Sequence, residues 1–324
     1  MLRAVGTMVV AIAMSMQLAT EALAQVFPSR PLRFIVPFAP AGSTDIFARL
    51  IGERLGAALG QPVVIENRGG GGGNIGADVV AKSAPDGYTL LMATTGVMAI
   101  NNALYRNMSF DAAKDLEPVI FIASITNALI VPADSELKSV GDLLATAKAA
   151  PGKLTFASSG SGSSTHMSGE LFKLMAGVDL LHVPYKGSGP AMPDLISGRV
   201  SMMFENMPGA VSYINSGKVR LLAVTGLKRS AAFPQVPTVA EAGVPGYESL
   251  SWSGIAVAAG TPKEVIARLN REVNAILASP EMRQKLAEQG ADAVGGTPES
   301  FAEHIRSERE KWSRVIRTAN IAVN

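Results

Sequence analysis

Cysteine is absent from the 324 residues, and histidine occurs three times, as His166, His182 and His304. Without a thiol there can be no disulfide, no thiolate metal site, no cysteine nucleophile and no lipid-modified N-terminal cysteine. The three histidines lie far apart and none sits in a His-Glu-x-x-His pattern, so no metal site is expected and a zinc enzyme is set aside. Charge is scarce as well. Charged residues make up 17% of the chain, and 29 Lys and Arg stand against 27 Asp and Glu, a formal net of +2 with no dense basic stripe. That leaves no electrostatic footprint for nucleic acid. Apolar residues are plentiful, at 48%, which excludes disorder by composition and supplies material for large cores. At roughly 100 to 200 residues per domain, the length allows two domains and a cleft between them.

The first stretch reads as an address label. Arg3 precedes an apolar run from Ala4 to Leu18, and Ala22-Leu23-Ala24 is a small-x-small cleavage signal before Gln25, so residues 1–24 are expected to be a signal peptide. A membrane anchor is the rival. The run is interrupted by Gly6, Thr7, Ser15 and Gln17 and falls short of the roughly 20 apolar residues needed to span a bilayer. An exported, cysteine-free chain points to the periplasm of a Gram-negative cell.

Downstream, strands alternate with helices. Leu32 to Val36 reads as a buried strand. After the Pro40-Ala41-Gly42 turn, Ile46, Phe47, Leu50, Ile51, Leu55 and Leu59 recur at helical spacing, with Ser43 or Thr44 as the expected cap. The same unit recurs at Val63 to Ile65 before a helix from Asn74, and at Leu154 to Ala157 before a helix from Ser164. Thr89 to Ala93, Leu180 to Val183, Val200 to Phe204 and Val219 to Val224 supply further short strands. This alternation predicts an α/β fold of parallel sheets flanked by helices. Thr261-Pro262, Ser279-Pro280 and Thr297-Pro298 each place a cap and a proline ahead of a helical pattern, so the C-terminal part is expected to be mostly helical.

In open parallel sheets, ligands sit beyond the carboxyl ends of the strands. Two such ends lead through small-residue loops into helices: Phe38-Ala39-Pro40-Ala41-Gly42-Ser43-Thr44-Asp45, and Ser158-Ser159-Gly160-Ser161-Gly162-Ser163-Ser164. Each offers free backbone N–H groups, hydroxyls and a positive dipole end, which together form an anion site without a cationic side chain. A helix terminus contributes only about 0.3–1 kcal/mol. Desolvating an ion costs several kcal/mol, so the two loops must converge on one anion. Neither loop contains Arg or Lys and no P-loop spacing occurs, which favours a carboxylate over a phosphate. Thr94 and Thr95, at the end of another strand, would complete the wall. Asp45 either orients the first loop or an ordered water, or complements the helix dipole.

Three other signals compete. Gly71-x-Gly73-x-x-Gly76 formally matches a dinucleotide fingerprint, but the next strand ends in Thr94-Thr95 instead of an acidic residue; the glycines read as a turn, and no cofactor is expected. Serines beside His166 evoke a hydrolase, yet the Gly-x-Ser-x-Gly elbow is missing, and His166 reads as a packing or capping residue. Glu205, expected at a strand end, either meets a ligand amine or shared proton, or is a solvated acid.

The motifs resemble the Bug family, the periplasmic solute-binding proteins of tripartite tricarboxylate transporters. The resemblance rests on Arg30-Pro31-Leu32-Arg33-Phe34-Ile35-Val36-Pro37-Phe38 with Asp45 and Arg49, on Glu66-Asn67-Arg68 before the glycines, and on Pro85-Asp86-Gly87-Tyr88-Thr89-Leu90. It continues through His182-Val183-Pro184-Tyr185-Lys186-Gly187, Pro237-Thr238-Val239-Ala240-Glu241-Ala242-Gly243 and Ala259-Gly260-Thr261-Pro262. It implies a Venus-flytrap fold, in which two α/β domains close on a small carboxylate, with Phe38 through Asp45 as the first ligand loop and Ser158 through Ser164 as the second. The expected division is residues 26–125 plus 250–324 for one domain and 126–249 for the other, joined by crossover strands. The implied partners are a small organic anion and integral-membrane transporter subunits, with the protein itself a monomer and not an enzyme. A noncatalytic sensor for a signalling partner, or an α/β enzyme using the same cleft, is the alternative. Three positions depart from the family: Ala41-Gly42 where paired glycines are usual, Gly69 where proline is usual, and Glu205 in place of an aspartate. A Cβ at Ala41 is expected to narrow the first loop, and Gly69 to add freedom at the cleft edge.

Overall fold

Among residues 27–318 and 321, which the computed structural model describes, one ten-stranded sheet runs through two lobes. The expected leader, residues 1–24, lies outside the described residues. The first lobe begins β1 (Leu32–Val36), α1 (Ser43–Leu59), β2 (Val63–Asn67), α2 (Asn74–Ala81) and β3 (Thr89–Thr94), followed by a helical turn at Gly96–Ile100 and the short α3 (Asn101–Leu104). β4 (Leu116–Pro132) then crosses to the second lobe. There follow α4 (Val140–Ala149), β5 (Thr155–Ser158), α5 (Ser164–Ala176), β6 (Leu181–Pro184), α6 (Ser188–Ile196), β7 (Met202–Asn206), α7 (Met207–Asn215) and β8 (Val219–Val224). β9 (Leu250–Ala258) returns to the first lobe, which ends with α8 (Lys263–Ala278), α9 (Pro280–Glu288), β10 (Ala291–Ala293) and α10 (Pro298–Thr318).

The core of each lobe pairs in parallel, as expected: β1 lies between β2 and β3, with Phe34 level with Ile65 and Leu90, and β5 lies between β6 and β7, whereas β8 and β10 each pair antiparallel with β4. The joint is antiparallel. β4 pairs with β9 from Leu116 to Thr126, then changes partners and pairs with β7 and β8 from Asn127 onward. These are the crossover strands, and periodicity did not locate them. β9 is buried along nearly its whole length and β4 along most of its own, so neither shows the apolar–polar alternation of a half-exposed strand.

Both faces of each half-sheet are covered. Phe47, Ile51 and Leu55 of α1 pack with Leu269, Val273 and Leu277 of α8 on one face of the first lobe. On the other face, Val80 of α2 shares a core with Phe301, Ile305 and Trp312 of α10. Trp312 is fully buried, and truncating such a side chain to alanine costs about 3–5 kcal/mol. In the second lobe α4 and α5 cover one face and α6 and α7 the other. The serine–proline start of α9 is as expected, with the Ser279 Oγ accepting from the Met282 N–H at 3.2 Å. The start of α8 is shifted by one residue: Pro262 takes the capping position and the Thr261 hydroxyl donates to the Ala258 carbonyl at 2.7 Å.

Candidate functional site

The loops after β1 and β5 meet in the cleft between the lobes, at the amino ends of α1 and α5. At α1 the capping residue is Gly42, in extended conformation and with no side chain to offer, so neither Ser43 nor Thr44 is the cap. The first helical bond runs from the Ile46 N–H to the Gly42 carbonyl at 3.0 Å. The N–H groups of Ser43, Thr44 and Asp45 therefore lack helical acceptors. Behind them, Asp45 holds the loop: its carboxylate accepts from the Ala41 N–H at 3.1 Å, from Asn67 Nδ2 at 3.0 Å and from Arg49 at 3.0 Å. Burial pushes the Asp45 carboxyl up, but these donors outweigh it and hold the group below the ordinary carboxylate range. The loop-orienting role is the one the geometry supports. Ala41 sits at φ 70°, is exposed, and does not border the cavity. Its Cβ is thus a source of backbone strain and does not narrow the loop.

The second wall is tied internally. Ser163 caps α5, accepting from the His166 N–H at 3.2 Å and donating to the Gly160 carbonyl at 2.6 Å. The Ser159 N–H donates to Thr165 Oγ1 at 2.9 Å, the Gly160 N–H to Ser158 Oγ at 3.1 Å and the Gly162 N–H to His166 Nδ1 at 3.1 Å. Most N–H groups of this loop are therefore spent on its own shape, leaving chiefly the first-turn N–H groups of Ser164 and Thr165; of the hydroxyls, Ser159 Oγ is bonded to Ser188 Oγ at 2.9 Å and Ser164 Oγ donates to Asn206 Oδ1 at 3.4 Å. His166 is a scaffold residue. It stacks on His182 at 4.0 Å between ring centroids. Burial, with the neighbouring His182 and Lys173, lowers its pKa to about 3 and keeps it neutral.

Of the residues singled out from sequence, Phe38, Gly42, Ser43, Thr44, Thr94, Ser159, Ser163 and Ser164 border one narrow cavity. Ala41, Asp45, Thr95, Gly162 and Glu205 do not border it. Thr95 is turned to β9, where its Oγ1 accepts from the Trp252 N–H at 3.0 Å. Gly160 and Ser161 line an adjoining groove with Tyr105 and Lys186. Glu205 lies inside β7 and is fully buried, so it is neither solvated nor at the strand end. Sequence reasoning missed Ser188, Asn206, Ser251 and Ser253, which also border the cavity. For β9 a signal was present, because Ser251 and Ser253 are polar alternate positions on an apolar strand and so share a face. For Ser188 and Asn206 there was none.

The cleft is closed. Asn206 Nδ2 donates to Ser43 Oγ at 3.0 Å, the Ala39 N–H to the Lys186 carbonyl at 3.0 Å and the Tyr105 hydroxyl to the Ser161 carbonyl at 2.7 Å. Gly69 serves this approach: a Cβ there would stand 2.8 Å from the Lys186 oxygen and 2.9 Å from the Ala39 nitrogen. The glycine is thus needed for contact instead of adding freedom. Likewise a Cβ on Gly72 would lie 2.0 Å from the Ser161 carbonyl, so the glycine run shapes a turn against the other lobe. Arg49 is paired with Asp45, Arg68 with Glu66, and Lys186 borders the groove, so none of them borders the cavity. Thr94 Oγ1 is buried without a hydrogen-bond partner. Among the described residues no cluster of His, Asp and Glu could hold a metal ion, and no helix is long and apolar enough to cross a membrane.

Two α/β lobes closed over a polar, cation-free cavity define a solute-binding protein. The particular family follows from comparison: residues 47–321 match the model of the tripartite tricarboxylate transporter family receptor, TctC, and the chain belongs to that family. Protein BugT of Bordetella pertussis is 40% identical over 301 residues, covering 93% of this chain and 92% of BugT. The structure of R. palustris Rpa4515 with adipate superimposes with a TM-score of 0.89 at 44% identity, covering 91% of this chain and 99% of that one. MatC from Rhodopseudomonas palustris with bound malate gives 0.85 at 32% identity, covering 90% and 100%. The family consists of periplasmic substrate-binding proteins, which carry ligands without transforming them.

Proposed function

We propose that this chain captures a small organic carboxylate between its lobes and presents it to the integral-membrane subunits of a tripartite transporter, acting as a monomer. The observation that carries the reading is the cavity itself. The uncapped end of α1 faces the open first turn of α5, with Thr94 Oγ1 unpartnered between them. One helix end contributes about 0.3–1 kcal/mol, whereas each hydrogen bond to a charged group contributes about 1.5–3 kcal/mol. Donors from both lobes are needed to offset the several kcal/mol of desolvation, which couples capture to closure. Adipate in Rpa4515 and malate in MatC support the ligand class.

The same proposal includes the division into residues 26–125 plus 250–324 and 126–249, supported by the change of β4's partners after Thr126, and export with cleavage before Gln25. The periplasmic fraction should contain a chain beginning at Gln25; an intact N-terminus embedded in the inner membrane would contradict export. For the ligand, thermal-shift screening against mono- and dicarboxylates of about three to eight carbons, adipate and malate included, tests the reading. A binder at 100 times its dissociation constant adds about 2.7 kcal/mol of stability. Binding of amines or sugars with no carboxylate bound would sink the carboxylate reading.

A further inference from the structure

Glu205 is sealed inside the second wall with no solvent exposure. The elements around it carry Glu117 on β4, His166, Glu170 and Lys173 on α5, His182 on β6, Asp194 on α6, Tyr213 on α7, Arg220 on β8, and Asp45, Arg49, Glu53 and Arg54 on α1. None of these charges acts on it. Its state is set by burial, by Ser188 and by the Asn206 backbone N–H. Ser188 Oγ lies 2.7 Å from Oε1 and 2.6 Å from Oε2. On its other side it is 2.9 Å from Ser159 Oγ. Glu205 does not border the cavity, but Ser188 and Ser159 both do. A buried carboxyl with no counter-charge is thus wired to the ligand space through two hydroxyls.

A hydroxyl has one proton to give, and this makes the chain directional. When Glu205 is ionised, Ser188 must donate to it and accept from Ser159, so Ser159 turns its proton away from the cavity and offers lone pairs to whatever enters. When Glu205 is protonated, it donates to Ser188, Ser188 donates to Ser159, and the Ser159 proton is free to point at the ligand. Resting on the carboxylate reading above, we infer that Glu205 is a positioning residue whose protonation turns the Ser188–Ser159 chain into a donor toward an anionic ligand, and whose ionisation turns it into an acceptor that opposes one. Binding of the anion by the ionised form then takes up one proton from solvent, which goes to Glu205.

Burial pushes the Glu205 carboxyl up to about 8. If only the protonated form is competent, affinity falls with the protonated fraction, by about tenfold between pH 7 and pH 9. The test has two arms. First, carbon-13 NMR of the carboxyls of the unliganded full chain should show a resonance, missing in Glu205→Gln, that is neutral at pH 6 and titrates near pH 8; a resonance already ionised at pH 6 overturns the inference. Second, calorimetry with the tightest carboxylate from the panel should give a roughly tenfold weaker affinity at pH 9 than at pH 7, with proton uptake read from buffers of different ionisation heat. Glu205→Gln keeps an N–H donor that does not titrate, so its pH 9 to pH 7 ratio should fall to near one. Ser188→Ala, which breaks the wire, should flatten the profile as well and serves if the Gln variant does not fold. A flat wild-type profile, or one equally steep in both variants, overturns the inference and leaves the carboxylate reading standing. If no carboxylate binds at any pH, both fall.

Discussion

At the first wall of the cleft, the N–H groups of Ser43, Thr44 and Asp45 end a helix that has no side-chain cap, and Asp45 braces the loop from behind. At the second wall, Ser163 caps the helix and Thr165, Ser158 and His166 take up three more N–H groups. Both loops are small, hydroxyl-rich and free of cations, yet one presents bare backbone and the other presents side chains on a rigid internal network. They also titrate differently. The first wall leans on a carboxylate that stays ionised well into the acid range, whereas the second encloses a neutral His pair and a carboxyl that resists ionisation. The proposed anion site is thus divided between a donor face and a scaffolded face.

The largest effect that would sharpen this contrast is the pH dependence of stability contributed by Glu205. Its carboxyl ionises near the ordinary 4.5 in the unfolded chain and near 8 in the folded one. The folded state holds the extra proton between those values. The contribution is full below 4.5, declines as pH rises and is gone above about 8. Urea titrations from pH 5 to pH 8 should show wild type losing a few kcal/mol relative to Glu205→Gln; parallel pH profiles would show that the second wall holds an ordinary carboxylate. Next, Ser43→Pro removes an N–H and a hydroxyl from the donor face while leaving a proline where helices accept it, after an extended Gly42. Carboxylate binding should weaken by about 1.5–3 kcal/mol, with helix content unchanged by circular dichroism.

Ser163→Ala strikes the scaffolded face instead. Removing a cap should cost about 0.5–2 kcal/mol of unfolding free energy and speed amide exchange at His166; no change in either would mean that the cap is idle. The smallest effect is expected at Ala41→Gly. Relief of the left-handed strain, about 1–2 kcal/mol, is partly offset by the greater freedom of an unfolded glycine, about 0.4–1 kcal/mol. A net gain of about 0–1.6 kcal/mol should appear in the denaturation midpoint, and a loss would show that Asp45 does not brace this loop at any cost in backbone strain.

Much of the architecture was legible because it is local. The helical spacing of Phe47, Ile51 and Leu55, the small-residue loops after β1 and β5, and the Ser279–Pro280 start all report the physics of one turn or one strand. The cap of α1 was misread for a local reason too: Ser43 and Thr44 are good caps, but Gly42 takes the extended position and they enter the helix. Legibility stopped at β4 and β9, whose burial erases alternation, and at Ser188 and Asn206. Those two reach the cavity from α6 and β7, more than 140 residues along the chain from Ser43.

By itself the sequence determined the alternation of strands and helices, the absence of thiol chemistry, and two cation-free loops at helix ends, because composition, periodicity and capping are properties of neighbouring residues. The tertiary structure alone decided that these loops face each other, that Gly69 and Gly72 allow the lobes to touch, and that Glu205 is sealed behind Ser188 without a counter-charge. The reason is physical. Desolvation and hydrogen-bond direction depend on which groups meet across the cleft, and that pairing comes into being only when β4 and β9 bring the two lobes together.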